Sequence, residues 1–199
     1  LYKSNPTLFE WFSSPIVYQE TEFVDKFRDL MVHYFSSKKT LYHYISMAEG
    51  NYQEYLKGDF VRAKKYFYVL RPVLACRWIL DRGTPPPMLF SELMKAELPA
   101  ELIGAVNQLL ELKMNSPEVK LIPRIPEINE YLDGSISSIK SAVRLLDDSH
   151  TPDWNELNQL FLQELMNWEY PSFASYALMM LKLVETYRIA ERDPKDLLS

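Results

Sequence analysis

The sequence predicts an all-α protein, a multi-helix bundle of about seven to eight helices joined by proline-rich connectors. Three observations carry that expectation. Apolar residues recur at three- and four-residue spacings along most of the chain, and no stretch sustains the two-residue alternation of a half-buried strand. Thirteen prolines against five glycines suit helices stopped by proline and disfavour a β-barrel or a glycine-rich phosphate loop. The 199 residues are 47% apolar and 14% aromatic, which rules out a disordered chain and permits a buried core without disulfide or metal staples.

An aromatic entry of Leu8, Phe9, Trp11 and Phe12 is stopped by Pro15. Glu22 to Tyr34 then places Phe23, Phe27, Leu30, Met31 and Tyr34 on one helical face. Ser36 or Ser37 caps a second helix from Lys38 to about Leu56. Lys57-Gly58-Asp59 reads as a turn, with Gly58 suited to the C′ position and Asp59 to the N-cap of a helix over Phe60 to Leu80. Arg82-Gly83-Thr84 and three consecutive prolines, Pro85 to Pro87, close that helix with a stiff connector. Met88 to Leu98 and Pro99 to Asn115 read as shorter helices, with Pro99 in a tolerated first-turn position. Pro117, Pro123 and Pro126 predict an irregular loop, followed by a helix from Glu127 to Leu146 that Gly134 could interrupt. A last pair follows, Asp153 to Trp168 (Asp153 capping, Glu156 at N3) and Ser172 to Glu191, separated by Pro171. The triple proline suggests a seam between an N-terminal segment, 1–83, and a C-terminal segment, 84–199, packed as one continuous α domain.

The net charge of −5 argues against a general nucleic-acid binder, but it hides an asymmetry. Between Lys57 and Arg82 there are seven basic residues (Lys57, Arg62, Lys64, Lys65, Arg71, Arg77 and Arg82) and two acids (Asp59 and Asp81), so this window is +5 and the rest of the chain −10. A basic island in an acidic protein fits a local anion site better than a long duplex-binding surface. The alternative is that these cations neutralise acidic neighbours within the bundle. The single cysteine, Cys76, excludes a disulfide framework and a cysteine-cluster zinc site, and suits a reducing cytoplasm. No uncharged apolar run approaches the roughly 18 residues of a membrane span, and no secretory signal opens the chain. Because the sequence starts at Leu1 instead of methionine, a piece of a longer protein or a processed product is the expectation.

Several catalytic signatures are absent. His33, His43 and His150 have no zinc-ligand spacing, and neither GxGxxG, a Walker A loop nor GxSxG occurs. Gly134-Ser135 followed by Asp147-Asp148 mimics the glycine-serine and acidic signature of nucleotidyltransferases. That chemistry needs two carboxylates one residue apart on a strand. Here the intervening segment is amphipathic helix and the aspartates are adjacent, so the match is a decoy.

The informative stretch begins at Lys64. Lys64, Tyr68 and Arg71 stand at i, i+4 and i+7, within about 60° on a helical wheel, and Lys65 lies one position around. Arginine binds phosphate bidentately, lysine acts as a point charge and tyrosine donates a hydrogen bond, so the four suit a phosphate site. Pro72 is expected to kink or break the helix beside them. The competing reading is a core helix whose Tyr66, Phe67, Leu70, Val73 and Leu74 pack inward while its cations are solvated. On the preceding helix His43, Met47 and Gly50 share one face, and Tyr44, Ala48 and Asn51 the next. His43 suits acid–base or ligand contact, or a packing role, and Gly50 suggests close approach by a helix or ligand.

Five strings stand out: Ser4-Asn5-Pro6-Thr7-Leu8-Phe9-Glu10-Trp11, Ser14-Pro15-Ile16-Val17-Tyr18, HYISMAEGNYQEYL from His43, KKYFYVLRPVLACRWI from Lys64 and GTPPPMLFSEL from Gly83. In these strings the sequence resembles a family of predicted bacterial nucleotidyltransferases of the DNA polymerase β superfamily, of the RNA-repair-associated type. The likeness covers roughly the first 100 residues well and the remainder loosely. The resemblance implies a palm-like αβ catalytic domain followed by a helical domain, with Mg²⁺ held by palm aspartates and a nucleoside triphosphate as substrate. The glycine-serine turn and those aspartates are not in this sequence, which begins just after the place expected for the last palm carboxylate. The chain alone is therefore expected to be inactive. By the same resemblance Lys64 or Lys65, Tyr68 and Arg71 would bind triphosphate, and His43, Tyr44 and Asn51 would line the cleft. Expected partners are the nucleotide and an acceptor, either an RNA end, another nucleic acid or a small molecule, with oligomerisation left open. The alternatives are a non-catalytic helical module that binds RNA, nucleotide or protein, and a purely structural bundle.

Overall fold

The computed structural model describes residues 1–115, 121–147 and 152–167. Contacts divide the chain into two compact units, Leu1–Glu156 and Leu157–Ser199. The described elements are α1 (Pro6–Phe12), α2 (Glu22–Tyr34), α3 (Ser37–Tyr55), β1 (Phe60–Arg62), α4 (Ala63–Arg82), α5 (Phe90–Glu97), a 3₁₀ turn (Ala100–Leu102), α6 (Ile103–Asn115), β2 (Leu121–Pro123), α7 (Pro126–Leu145) and α8 (Asn155–Asn167). The protein is mostly helical, as the periodicity predicts, with one small two-stranded sheet among the described residues.

Local chemistry sets these boundaries. The Thr7 N–H donates to the Asn5 side chain at 3.1 Å, and Pro6 sits in the first turn of α1 where its missing N–H costs nothing. Ser36 caps α3, its Oγ accepting from the Lys39 N–H at 3.2 Å. Gly83 ends α4 in the left-handed conformation, φ 65°, with its N–H donating to the Ile79 carbonyl at 2.8 Å. At the start of α8 the Asn155 N–H donates to Asp153 Oδ1 at 3.0 Å. The predicted helix over Ser172 to Glu191, with Pro171 before it, lies outside the described residues.

Six sequence expectations need correction. Phe60–Arg62 is a strand, not the first turn of a helix, and α4 starts at Ala63. Its partner is Leu121–Pro123, where an irregular loop was expected, in antiparallel register with Val61 opposite Ile122. Both central residues are buried and their neighbours exposed, so the pair is a two-residue alternation too short to see in sequence. Asp59 is accordingly no N-cap. Its carbonyl accepts from the Arg124 N–H at 2.9 Å and extends the ladder. Gly58 does not take the left-handed conformation expected of a C′ glycine. Helix α4 runs unbroken through Pro72, and α7 runs through Gly134.

Helix α4 is central, packing against α3, α5, α6 and α7. Its inward residues Tyr66, Val69, Leu70, Val73, Leu74 and Cys76 are fully buried with Leu41 and Ile45 of α3, Leu93 of α5, and Leu132 and Ile139 of α7. Such continuous burial around Pro72 outweighs the one backbone hydrogen bond that proline removes. One polar node ties the core together. Buried Asn129 of α7 donates to the Leu56 carbonyl at 2.9 Å and accepts from the Tyr66 hydroxyl at 2.6 Å. The Tyr66 oxygen in turn accepts from the Ile125 N–H at 2.8 Å. The buried C-terminal end of α3 and the start of α7 are thereby held together with their backbone groups satisfied.

Candidate functional site

The N-terminal string delivers an acid to the basic helix. Ser4 is buried with φ 52°, and its Oγ accepts from the Ser36 N–H at 2.9 Å and lies 3.1 Å from the Thr40 hydroxyl. This pins the start of α1 to the start of α3. Asn5 and Pro6 then launch α1, whose last turn carries Glu10 toward α3 and α4. Glu10 Oε1 accepts from the Tyr44 hydroxyl at 2.6 Å and from Arg71 Nη2 at 3.3 Å. Arg71 Nη1 also donates to the Met88 carbonyl at 2.6 Å, just beyond the triple proline. Glu10, Tyr44 and Arg71 therefore form one half-buried cluster drawn from three helices. Burial, reinforced by the carboxylate beside it, raises the Tyr44 phenol well above its ordinary value, so it donates a proton without losing it.

The remaining residues of the α4 flank lie beside this cluster in the chain but take other partners. Lys65 Nζ sits 3.5 Å from the Tyr55 ring centroid and 4.5 Å from that of Tyr68. It is thus held against two tyrosine faces by its charge and its stem. Tyr68 is 42% exposed and Lys64 is partly buried. Of the α3 residues, His43 is exposed with its ring edge-on to Tyr44 at 6.0 Å, and Asn51 donates to the Met47 carbonyl at 2.8 Å. A Cβ built on Gly50 meets nothing within 4 Å, so close approach does not account for that glycine.

Two further cations of the basic island are engaged locally. Lys57 pairs with Asp133 at 3.7 Å and lies over the Tyr52 ring, while Arg82 pairs with buried Glu97 and lies over the Trp78 ring. Sequence reasoning missed Glu10 as the partner of Arg71. Its one signal was membership of the Asn5-Pro6-Thr7-Leu8-Phe9-Glu10-Trp11 string, since nothing local links residues 61 positions apart.

Among the described residues no group of three or more His, Cys, Asp or Glu side chains could hold a metal ion. These residues do not fit a magnesium site. Gly134 and Ser135 lie within α7, as the decoy reading requires of them, whereas Asp148 lies outside the described residues. No described helix is long and apolar enough to cross a membrane.

The RNA repair pathway DNA polymerase beta family matches residues 1–163. The uncharacterized protein YcgL of Bacillus subtilis (strain 168) is 44% identical over 163 residues, covering 80% of this chain and 62% of that relative. The chain thus spans less than two thirds of YcgL's length. No solved structure matches the chain.

Proposed function

The chain belongs to the RNA repair pathway DNA polymerase beta family, and from that premise we propose that it is the helical part of a nucleotidyltransferase, contributing contacts to a nucleoside triphosphate and its acceptor. In this reading the Lys64, Lys65, Tyr68 and Arg71 flank of α4 binds phosphate oxygens. His43, Tyr44 and Asn51 line the side from which an acceptor, such as an RNA end, approaches. The catalytic carboxylates and the Mg²⁺ they hold belong to sequence outside this chain, and no step of the reaction is assigned to residues within it.

The observation that carries the reading is the pre-positioning of two cations of different kinds on one flank. Arg71 is fixed by Glu10 and the Met88 carbonyl, and Lys65 rests on the rings of Tyr55 and Tyr68. Fixing a long side chain before the ligand arrives removes rotamer entropy from the cost of binding. A triphosphate can replace the Glu10 contact on Arg71 with a bidentate pair, since the Arg71 side chain is still 30% accessible. Tyr44, shared through Glu10, then keeps the displaced carboxylate hydrogen-bonded.

Arg71→Ala in the complete protein is expected to weaken triphosphate binding at least tenfold, about 1.4 kcal/mol, while urea unfolding shifts little. Arg71→Lys, which keeps the charge and loses the fork, should fall between the two. Unchanged affinity in both variants would sink the assignment. The structural reading is favoured by one specific observation, the ion pairs of Lys57, Arg71 and Arg82 with Asp133, Glu10 and Glu97. It requires Arg71→Ala to act on stability alone. A module that holds RNA through its backbone would instead lose affinity steeply as salt rises.

A further inference from the structure

The β1–β2 ribbon turns an apolar and cationic face to solvent. Its register sets Phe60 opposite Pro123 and Arg62 opposite Leu121, and the burial of Val61 and Ile122 sends all four outward. Cross-strand neighbours on one face lie about 5 Å apart, so the four form a single patch. Phe60 is 65% exposed and Leu121 59%. Arg62 is the cation of the patch. Elsewhere in the basic island Lys57, Arg71 and Arg82 pair with carboxylates, and Lys65 and Arg77 rest against tyrosine rings. Arg62 is exposed, and among the described residues it makes no ion pair, hydrogen bond or ring contact. Asp59, the nearest acid in the chain, is one residue out of step with this face, and its carbonyl serves the ladder.

The patch leads into the phosphate flank. Arg62 is the N-cap residue of α4, and Lys65, held over the rings of Tyr55 and Tyr68, follows about 4.5 Å along the axis. An exposed ring beside an uncompensated cation matches a single nucleic-acid strand, whose base faces stack and whose every nucleotide carries a phosphate. A duplex keeps its base faces stacked on one another and gains nothing from Phe60. The RNA-repair designation of the family favours RNA over an acidic peptide. We propose that the outer face of the β1–β2 ribbon binds unpaired nucleotides of an RNA acceptor, with one base on Phe60 and one phosphate on Arg62. This rests on the nucleotidyltransferase reading and narrows its acceptor to a single-stranded end, which runs from the ribbon toward Lys65 and Tyr68.

Fluorescence anisotropy of the complete protein with a labelled oligouridylate of about ten nucleotides tests the proposal. Phe60→Ser should weaken binding at least about fivefold, the loss of one stacked base. Arg62→Ser should lower the slope of log affinity against log salt by about 0.7, the loss of one phosphate contact. Both positions are exposed, and serine is a favoured N-cap residue at position 62, so folding is not at stake. A blunt RNA hairpin of the same length should bind more weakly than the oligouridylate. Neither variant should alter triphosphate affinity, and Arg71→Ala should leave oligouridylate affinity unchanged, so failure of the ribbon and failure of the flank are told apart. A loss below about fivefold in Phe60→Ser, an unchanged salt slope in Arg62→Ser, or a hairpin bound as tightly as the single strand would overturn the proposal. Binding of polyglutamate in place of oligouridylate would also overturn it and assign the face to an acidic protein.

Discussion

The inward face and the charged flank of α4 share one twenty-residue helix and obey different physics. On the inward face Val69, Leu70, Val73, Leu74 and Cys76 are sealed from solvent, and non-directional packing holds them. On the flank each cation has a specific partner, and the partner sets its exposure. Lys65 takes aromatic faces, Arg71 a half-buried carboxylate, and Arg82 a carboxylate removed from water. Packing lets the helix pass through Pro72 without a break, whereas each flank contact depends on one distant residue. Stability should therefore reside on one side of the helix and ligand selectivity on the other.

The largest effect expected is on the inward side. Leu74 is fully buried, and Leu74→Ala should cost roughly 2–5 kcal/mol in urea unfolding, through lost transfer energy and the cavity left behind. The folded fraction should still bind triphosphate with unchanged affinity. A loss under about 1 kcal/mol would erase the contrast between the two sides, since substitution of Lys65 or Arg71 on the flank is not expected to cost more than that.

Arg82→Ala sharpens the contrast from the charged side. It strips Glu97, buried in the α5 end, of its cation and removes the contact with the Trp78 ring. The Arg82 side chain is itself 39% accessible, so water can take part of its place, and roughly 1–3 kcal/mol is expected. A double variant, Arg82→Met with Glu97→Leu, should recover most of the loss, because apolar substitutes carry no desolvation penalty. Failure of the double variant to recover would mean that the ion pair, not packing, organises this end of the helix.

The same division explains what could be read from sequence. Helix α2 was legible over its full span, Glu22–Tyr34, because a local apolar pattern and flanking non-helical residues define it. Ser36 was legible as a cap because capping reaches only three residues. The β1–β2 pair was not, since Phe60–Arg62 finds its partner some sixty residues later and neither strand is long enough to show a period. Pro72 misled for a related reason: local rules see the lost hydrogen bond and not the buried neighbours that outweigh it. At the candidate site the helical wheel placed Lys64, Tyr68 and Arg71 on one flank from spacing alone. The Glu10–Tyr44–Arg71 cluster depends on Ser4 docking to Ser36, a tertiary event without a local signature.

The smallest predicted effect concerns pH, and it separates the two sides without changing any charge at neutrality. Burial pushes the Cys76 thiol far above its ordinary value of 9.0, and it holds the Tyr44, Tyr66 and Tyr131 phenols above 10.0. In the unfolded chain these groups release their protons once pH passes those ordinary values, while the folded protein keeps them. The native state then binds more protons than the unfolded state, so stability falls as pH rises. The contribution is fully present below about pH 9 and declines above it, with Cys76 acting first and the tyrosines from about pH 10. Each group can add at most about 1.4 kcal/mol per pH unit. Cys76→Ala should flatten the decline between pH 9 and pH 10 whatever it does to stability at neutrality, because the Sγ–H contact with the Leu41 carbonyl, at 3.9 Å, is weak. Tyr44→Phe should flatten the decline only above pH 10. If the slope from 9 to 10 stays the same in Cys76→Ala, alkaline unfolding begins with deprotonation elsewhere in the protein.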